Sequence, residues 1–208
     1  LPTDDFVAYH EARARGGTGL IVLEAAAVHA SGLLTSHTLG GYLPAIVPSY
    51  RRVVEAVHPH GTRLFVQLFH GGREQIATPP RAPALAPSAV PSPRFRTGPR
   101  ALRPEELDEL VAGYARSAEL AAEGGLDGVE VSAAHRYLVE QLFDPTVNRR
   151  EDEWADGASF LRSVLRAIRA AAPELVVGVR VSGDTSSGRR IAEVAVEEGV
   201  DYVSLALG

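Results

Sequence analysis

The sequence predicts an α/β fold built on a parallel sheet, and three observations carry that prediction. Five short apolar runs, at residues 19–25, 63–69, 128–134, 176–182 and 201–207, are rich in Val, Ile, Leu or Phe and short enough to be buried strands. Each follows a helical pattern, and strict helix–strand alternation places helices outside a parallel sheet. Polar side chains then collect at or just past the strand ends: Glu24, Gln67, His70, Ser132, His135 and Ser182. Two architectures satisfy the alternation, a closed (β/α)8 barrel and an open doubly wound sheet. The glycine fingerprint of a dinucleotide fold is missing after every run, because Gly16-Gly17-Thr18-Gly19 precedes its strand. Chemistry at the C-terminal ends of many strands is the habit of the barrel.

The first helix opens at Asp4-Asp5 behind the capping side chain of Thr3 and closes near Gly16-Gly17. A second runs over 45–58 and ends in the turn Pro59-His60-Gly61. Residues 73–103 then break the rhythm with many Pro, Ala, Ser and Arg and no periodicity. A loop of that length is usually functional or disordered, and in a barrel it would lie over the active-site face. The third helix is the clearest. Pro104 suits a first helical position, Glu105 and Glu106 face the helix dipole, and Gly124-Gly125 ends it. A fourth spans 159–172 before Pro173, and a short fifth lies within 188–198. Residues 1–208 read as a single domain.

Composition narrows the function. At 208 residues and 45% hydrophobic, the chain can bury one real core. A net charge of −5 argues against a nucleic-acid or anionic-membrane partner. No apolar run reaches the roughly 18 residues of a membrane span, and no signal peptide is visible. A cytoplasmic protein with a small-molecule substrate is the expectation, and a homo-oligomer is left open. Cysteine is absent, which excludes disulfides, thiolate metal sites and a Cys nucleophile from this stretch. All 21 basic residues are Arg, so the stretch supplies no Schiff-base lysine.

Three places carry chemistry. His135 and Tyr137 stand two apart just past a strand, where an imidazole can bind an anionic oxygen and a phenol can deliver a proton. Gln67 lies inside a buried strand, and its amide needs partners from a neighbouring loop or from a flat heterocycle. Arg180 lies inside another strand. It is there either in an ion pair with Glu24 or Glu130, or to stabilise negative charge on a ligand. His58 and His60 read as solvated turn residues, and no metal site is expected.

Several blocks in order resemble the Old Yellow Enzyme-like NADH:flavin oxidoreductase family: 9–24 (YHEARARGGTGLIVLE), 66–73 (VQLFHGGR), 86–88 (APS) and, most specific, 126–154 (LDGVEVSAAHRYLVEQLFDPTVNRREDEW). Residues 180–182 and 201–208 continue the series. The resemblance implies a (β/α)8 TIM barrel with FMN at the C-terminal ends of its strands. The five runs would be family strands two to six, with strands one, seven and eight missing from the stretch. By position, Gln67 would bond the flavin pyrimidine edge. Arg180 would sit near flavin N1 and O2 and favour the reduced anion. Ala25 or Ala26 would approach the ring through the backbone. His135 would be the second member of a pair anchoring a substrate carbonyl or other anionic group, with His70 on the substrate side, and Tyr137 would match the proton donor. NADPH or NADH would reduce FMN, which would pass hydride to the activated alkene of an α,β-unsaturated carbonyl.

The sequence departs from this pattern at three points. Ser132 stands in the place of the first His of the pair, which weakens carbonyl polarisation. Arg136 replaces the usual Gly before Tyr137, wording closer to amine-dehydrogenase-like members. The stretches after Trp154 and Asp184 are short. Either the chain as written closes up over gaps there, the favoured explanation, or the protein is itself shortened. These departures keep two alternatives in view, an amine dehydrogenase or demethylase and a catalytically degenerate barrel acting as a binding module.

Overall fold

The computed structural model describes residues 2–76, 82–96 and 98–207. Among the described residues, six α-helices and eight strands follow one another along the chain. They are α1 (Asp4–Arg15), β1 (Leu20–Ala27), β2 (Leu39–Gly40), α2 (Val47–Val57), β3 (Arg63–Phe69), β4 (Leu85–Ala86), β5 (Arg100–Ala101), α3 (Pro104–Glu123), β6 (Gly128–Ala133), α4 (Leu138–Phe143), α5 (Gly157–Ala171), β7 (Val176–Ser182), α6 (Ser186–Glu197) and β8 (Tyr202–Ala206). The main sheet is parallel with order β2-β1-β3-β6-β7-β8. Apart from the two-residue β2, each strand lies beside the one before it in the chain. The long helices pack in the same succession, α1 on α2, α2 on α3, α3 on α5 and α5 on α6. A doubly wound sheet reverses its order and carries helices on both faces. This winding is instead that of a barrel wall. The sheet is open, with β2 and β8 at its edges.

The two faces of the wall differ in chemistry because side chains alternate along each strand. Leu64, Val66 and Leu68 of β3, Val129, Val131 and Ala133 of β6, and Val177, Val179 and Val181 of β7 all point to the helices and are buried. Each of the larger ones contributes about 1.5–3 kcal/mol by leaving water. The opposite face carries Gln67, Glu130, Ser132, Arg180, Tyr202 and Ser204. A closed barrel would enclose this face.

Acidic residues at the strand starts lock the register. Asp127 accepts from the Leu64 backbone N–H at 2.8 Å, from Arg63 at 2.6 Å and from His58 at 2.8 Å, tying β3 to β6. His58 is therefore an engaged side chain, not the solvated turn residue expected. Asp201 repeats the device, accepting from the Val177 N–H at 2.7 Å and from Arg169 at 2.9 Å.

Helix ends follow the expected caps. The Phe6 N–H donates to Thr3 Oγ1 at 3.3 Å, and Glu106 accepts from the Arg103 N–H at 2.8 Å. Both short stretches are closed locally: Asp156 accepts from the Ala158 N–H and Thr185 from the Gly188 N–H. The Pro-rich segment leaves the C-terminal end of β3, and its described residues make specific contacts. The strands β4 and β5 pair at its base, and Arg150 donates to Pro87 O at 2.9 Å and to Leu102 O at 2.5 Å. Its residues 77–81 and 97 lie outside the described residues.

Candidate active site

The candidate residues gather at the C-terminal ends of β1, β3, β6 and β7. A bulge interrupts β1, where Glu24 and Ala25 together stand opposite Gln67. Bulged backbone is left out of the ladder. Glu24 turns to His10 of α1, at 3.3 Å, and Ala25 remains half-buried beside Gln67. Ala26 is fully buried and back in register with Leu68. Of the two alanines, Ala25 lies in the bulge and Ala26 in the regular ladder.

Gln67 donates from Nε2 to Glu130 Oε1 at 2.7 Å, and its partner is a neighbouring strand, not a loop. The other carboxylate oxygen of Glu130 accepts from Tyr202 Oη at 3.1 Å. With Glu24 on His10 and Glu130 on Gln67 and Tyr202, Arg180 has no ion pair among the described residues. Its Nε is buried without a hydrogen-bond partner. Ser132, directly across from Arg180 in the ladder, is 1% exposed, and its Oγ is also unpartnered. Unsatisfied buried donors are costly unless something meets them.

Past β6 the chain makes a turn in which His135 and Arg136 both adopt left-handed backbone, φ 60° and 59°. This accounts for the glycine that the resemblance places at position 136. Here an arginine holds the conformation because α4 grips its peptide groups. Glu140 accepts from the Arg136 N–H at 2.6 Å, and Gln141 donates to the Arg136 carbonyl at 2.6 Å. Glu140 is itself buried and held by Ser182 at 3.1 Å and Thr185 at 3.2 Å. The turn brings Tyr137 edge-on to His135, centroids 6.0 Å apart, and over Phe69 at 5.4 Å. Burial raises the Tyr137 phenol above its ordinary pKa, with Arg94 opposing and Glu74 adding to the rise. The phenol is therefore protonated at neutral pH.

His70 is set apart from this group. It is 1% exposed, and both ring nitrogens are used. Nδ1 accepts from the Gly72 N–H at 3.1 Å, so the proton lies on Nε2, which donates to Ser31 Oγ at 3.0 Å. That hydroxyl in turn donates to His29 Nδ1 at 2.7 Å. Burial pushes the His70 imidazole down to about 3, with nearby His29 adding to the effect. The hydrogen bonds of His70 brace the loops that carry Ser31 and Gly72. A cavity of about 490 Å³ beside the turn is lined by Arg73, Arg136, Glu140, Gln141 and Thr185, away from Gln67 and Arg180. No group of three or more His, Asp or Glu able to hold a metal occurs among the described residues, and no helix there is long and apolar enough to cross a membrane.

Comparison with known proteins decides the family. Residues 1–205 match the NADH:flavin oxidoreductase / NADH oxidase family. The chain belongs to that family. An NADPH dehydrogenase of Listeria monocytogenes serotype 4a is 38% identical over 185 residues, covering 88% of this chain and 54% of that protein. The N,N-dimethylglycine/sarcosine dehydrogenase of Chromohalobacter salexigens is 33% identical over 194 residues, covering 88% of this chain and 28% of its own. The chain thus spans about half the length of the curated NADPH dehydrogenases it matches. A solved 2-naphthoyl-CoA reductase complex superimposes with a TM-score of 0.87 over 97% of this chain and 35% of its own, at 23% identity, and shows the shared fold.

Sequence reasoning singled out Gln67, Arg180, His135 and Tyr137. It missed the working roles of Glu140 and Gln141, and met Glu130 only as a hypothetical ion-pair partner. The available signal for Glu130 was its alternation with Gly128 and Ser132, which puts it on the polar face.

Proposed function

We propose that the whole protein is an FMN-dependent NAD(P)H oxidoreductase and that this chain supplies one wall of its flavin site. The observation that carries the reading is Arg180, a cation on the polar face whose buried Nε has no partner while both candidate carboxylates are taken by other residues. A planar ring whose edge carries both acceptor atoms and an N–H donor, anionic when reduced, fits that guanidinium and the free amide oxygen of Gln67, with the bulge at Ala25 beside them. When bound, FMN would carry hydride between NAD(P)H and a second substrate. Arg180 would stabilise negative charge on the reduced ring by a fixed charge that needs no reorganisation. Gln67 would help to orient it. His135 donates to an anionic substrate oxygen, unaided by Ser132, whose hydroxyl is buried. Tyr137, protonated and half-buried, holds the proton that the substrate carbon takes at the end of reduction.

The substrate this arrangement suits best is the activated alkene of an α,β-unsaturated carbonyl. The test is anaerobic. The full-length protein is reduced with NADPH and mixed with 2-cyclohexen-1-one. Reoxidation with loss of the enone is expected, and Tyr137→Phe slows it about 100-fold or more while leaving the NADPH step unchanged. Failure of the enone to reoxidise the protein counts against the alkene reading. One observation favours a second reading, oxidation of an amine: a serine with a buried hydroxyl stands where a second carbonyl anchor would be. Bleaching of the oxidised protein by sarcosine would establish it.

A further inference from the structure

Glu130 is a carboxylate at 1% exposure with no ion pair among the described residues; Arg180 lies on the same face, two residues along the neighbouring strand, and the carboxylate oxygens are satisfied instead by hydrogen bonds. Its partners stand in one row across four strands: Gln67 of β3 pairs with Glu130 of β6, Glu130 with Gly178 of β7, and Gly178 with Tyr202 of β8. Gly178 is the enabling gap. A Cβ there would come within 2.1 Å of the Tyr202 ring, so only glycine lets the phenol cross β7 to reach Glu130 Oε2 at 3.1 Å. Both carboxylate oxygens then accept, one from Tyr202 and one from Gln67 Nε2 at 2.7 Å.

This row has a consequence for Gln67. A glutamine amide has an acceptor end and a donor end of nearly identical shape, and a ligand can meet either. A carboxylate only accepts, so it holds the nitrogen end and leaves the oxygen end pointing away. We propose that Glu130 is a positioning residue that fixes the Gln67 amide with its carbonyl oxygen toward the cofactor. The site thereby selects a ring whose pyrimidine edge presents an N–H donor at N3. The inference rests on the flavin reading above and adds the residue that sets the polarity of the contact.

The test compares binding of FMN and of 3-deaza-FMN, in which a C–H replaces the N3–H, to the full-length apoprotein by fluorescence quenching. Wild type is expected to prefer FMN by about tenfold or more, the cost of leaving a buried acceptor without its donor. In Glu130→Gln the neighbouring amide can accept or donate, Gln67 can turn over, and the preference falls to about twofold or less. Glu130→Asp, too short to reach Gln67, gives the same loss if the glutamine variant does not fold. Tyr202→Phe removes the other partner but keeps the acceptor facing Gln67, and retains the wild-type preference. A wild-type preference that survives in the Glu130 variants, or no preference in wild type, overturns the positioning role while the flavin reading stands. A wild-type protein that binds neither ring overturns the flavin reading itself.

Discussion

At position 136 an arginine occupies backbone that glycine adopts freely. A non-glycine residue in the left-handed region costs about 1–2 kcal/mol. The Arg136 side chain is exposed, so little packing is lost with it. Arg136→Gly should therefore stabilise the fold by about 0.5–1 kcal/mol after the extra unfolded-state entropy of glycine is counted. Urea denaturation measures this, and a loss of stability would show that the side chain has a partner elsewhere. His70 gives a second prediction, in pH. Its folded pKa of about 3 lies below the ordinary histidine value, so between the two the unfolded chain takes a proton that the folded one refuses. Stability is full above pH 6.5 and falls as pH drops toward 3, at up to about 1.4 kcal/mol per pH unit from this group. His70→Gln should flatten that slope between pH 6.5 and 4.5 relative to wild type, and parallel curves for the two proteins would contradict the assignment.

Single carboxylates hold whole elements in register. Burial acts to raise the Asp127 pKa, but the Leu64 N–H, Arg63 and His58 outweigh it and hold the group below its usual value. Its stabilisation is therefore present above the ordinary carboxylate range and is lost only in stronger acid, as pH falls through the depressed value. Asp127→Ala strands the Leu64 donor and should cost about 2–3 kcal/mol at neutral pH, read from chemical denaturation. A cost below about 0.5 kcal/mol would mean the strand start does not depend on it. The elements themselves were largely legible. Thr3, Pro104 and the paired glycines mark helix ends by local chemistry, and the five apolar runs mark strands by length and composition. The six residues of α4 escaped notice because Leu138–Phe143 is too short to show a helical period. The β4/β5 pair escaped because two-residue strands carry no pattern at all.

Across the whole molecule the strand order and the one-sided helix layer make a barrel wall with a polar inner face. That face was only half readable in the sequence. Gln67 and Arg180 stood out because polar groups in apolar strands demand a reason. The row linking Gln67, Glu130 and Tyr202 depends on register between strands separated by more than sixty residues, and register is written in no local motif. The chain from His70 through Ser31 to His29 was unreadable for a related reason: it joins loops nearly forty residues apart. The central claim is that this wall holds a flavin that nicotinamide can reduce. It is tested most directly by the visible absorption spectrum of the full-length protein purified in the dark, before and after anaerobic addition of NADPH or NADH. The account predicts the bands of oxidised flavin, bleached by the nicotinamide. A colourless protein that fails to take up added FMN would contradict it.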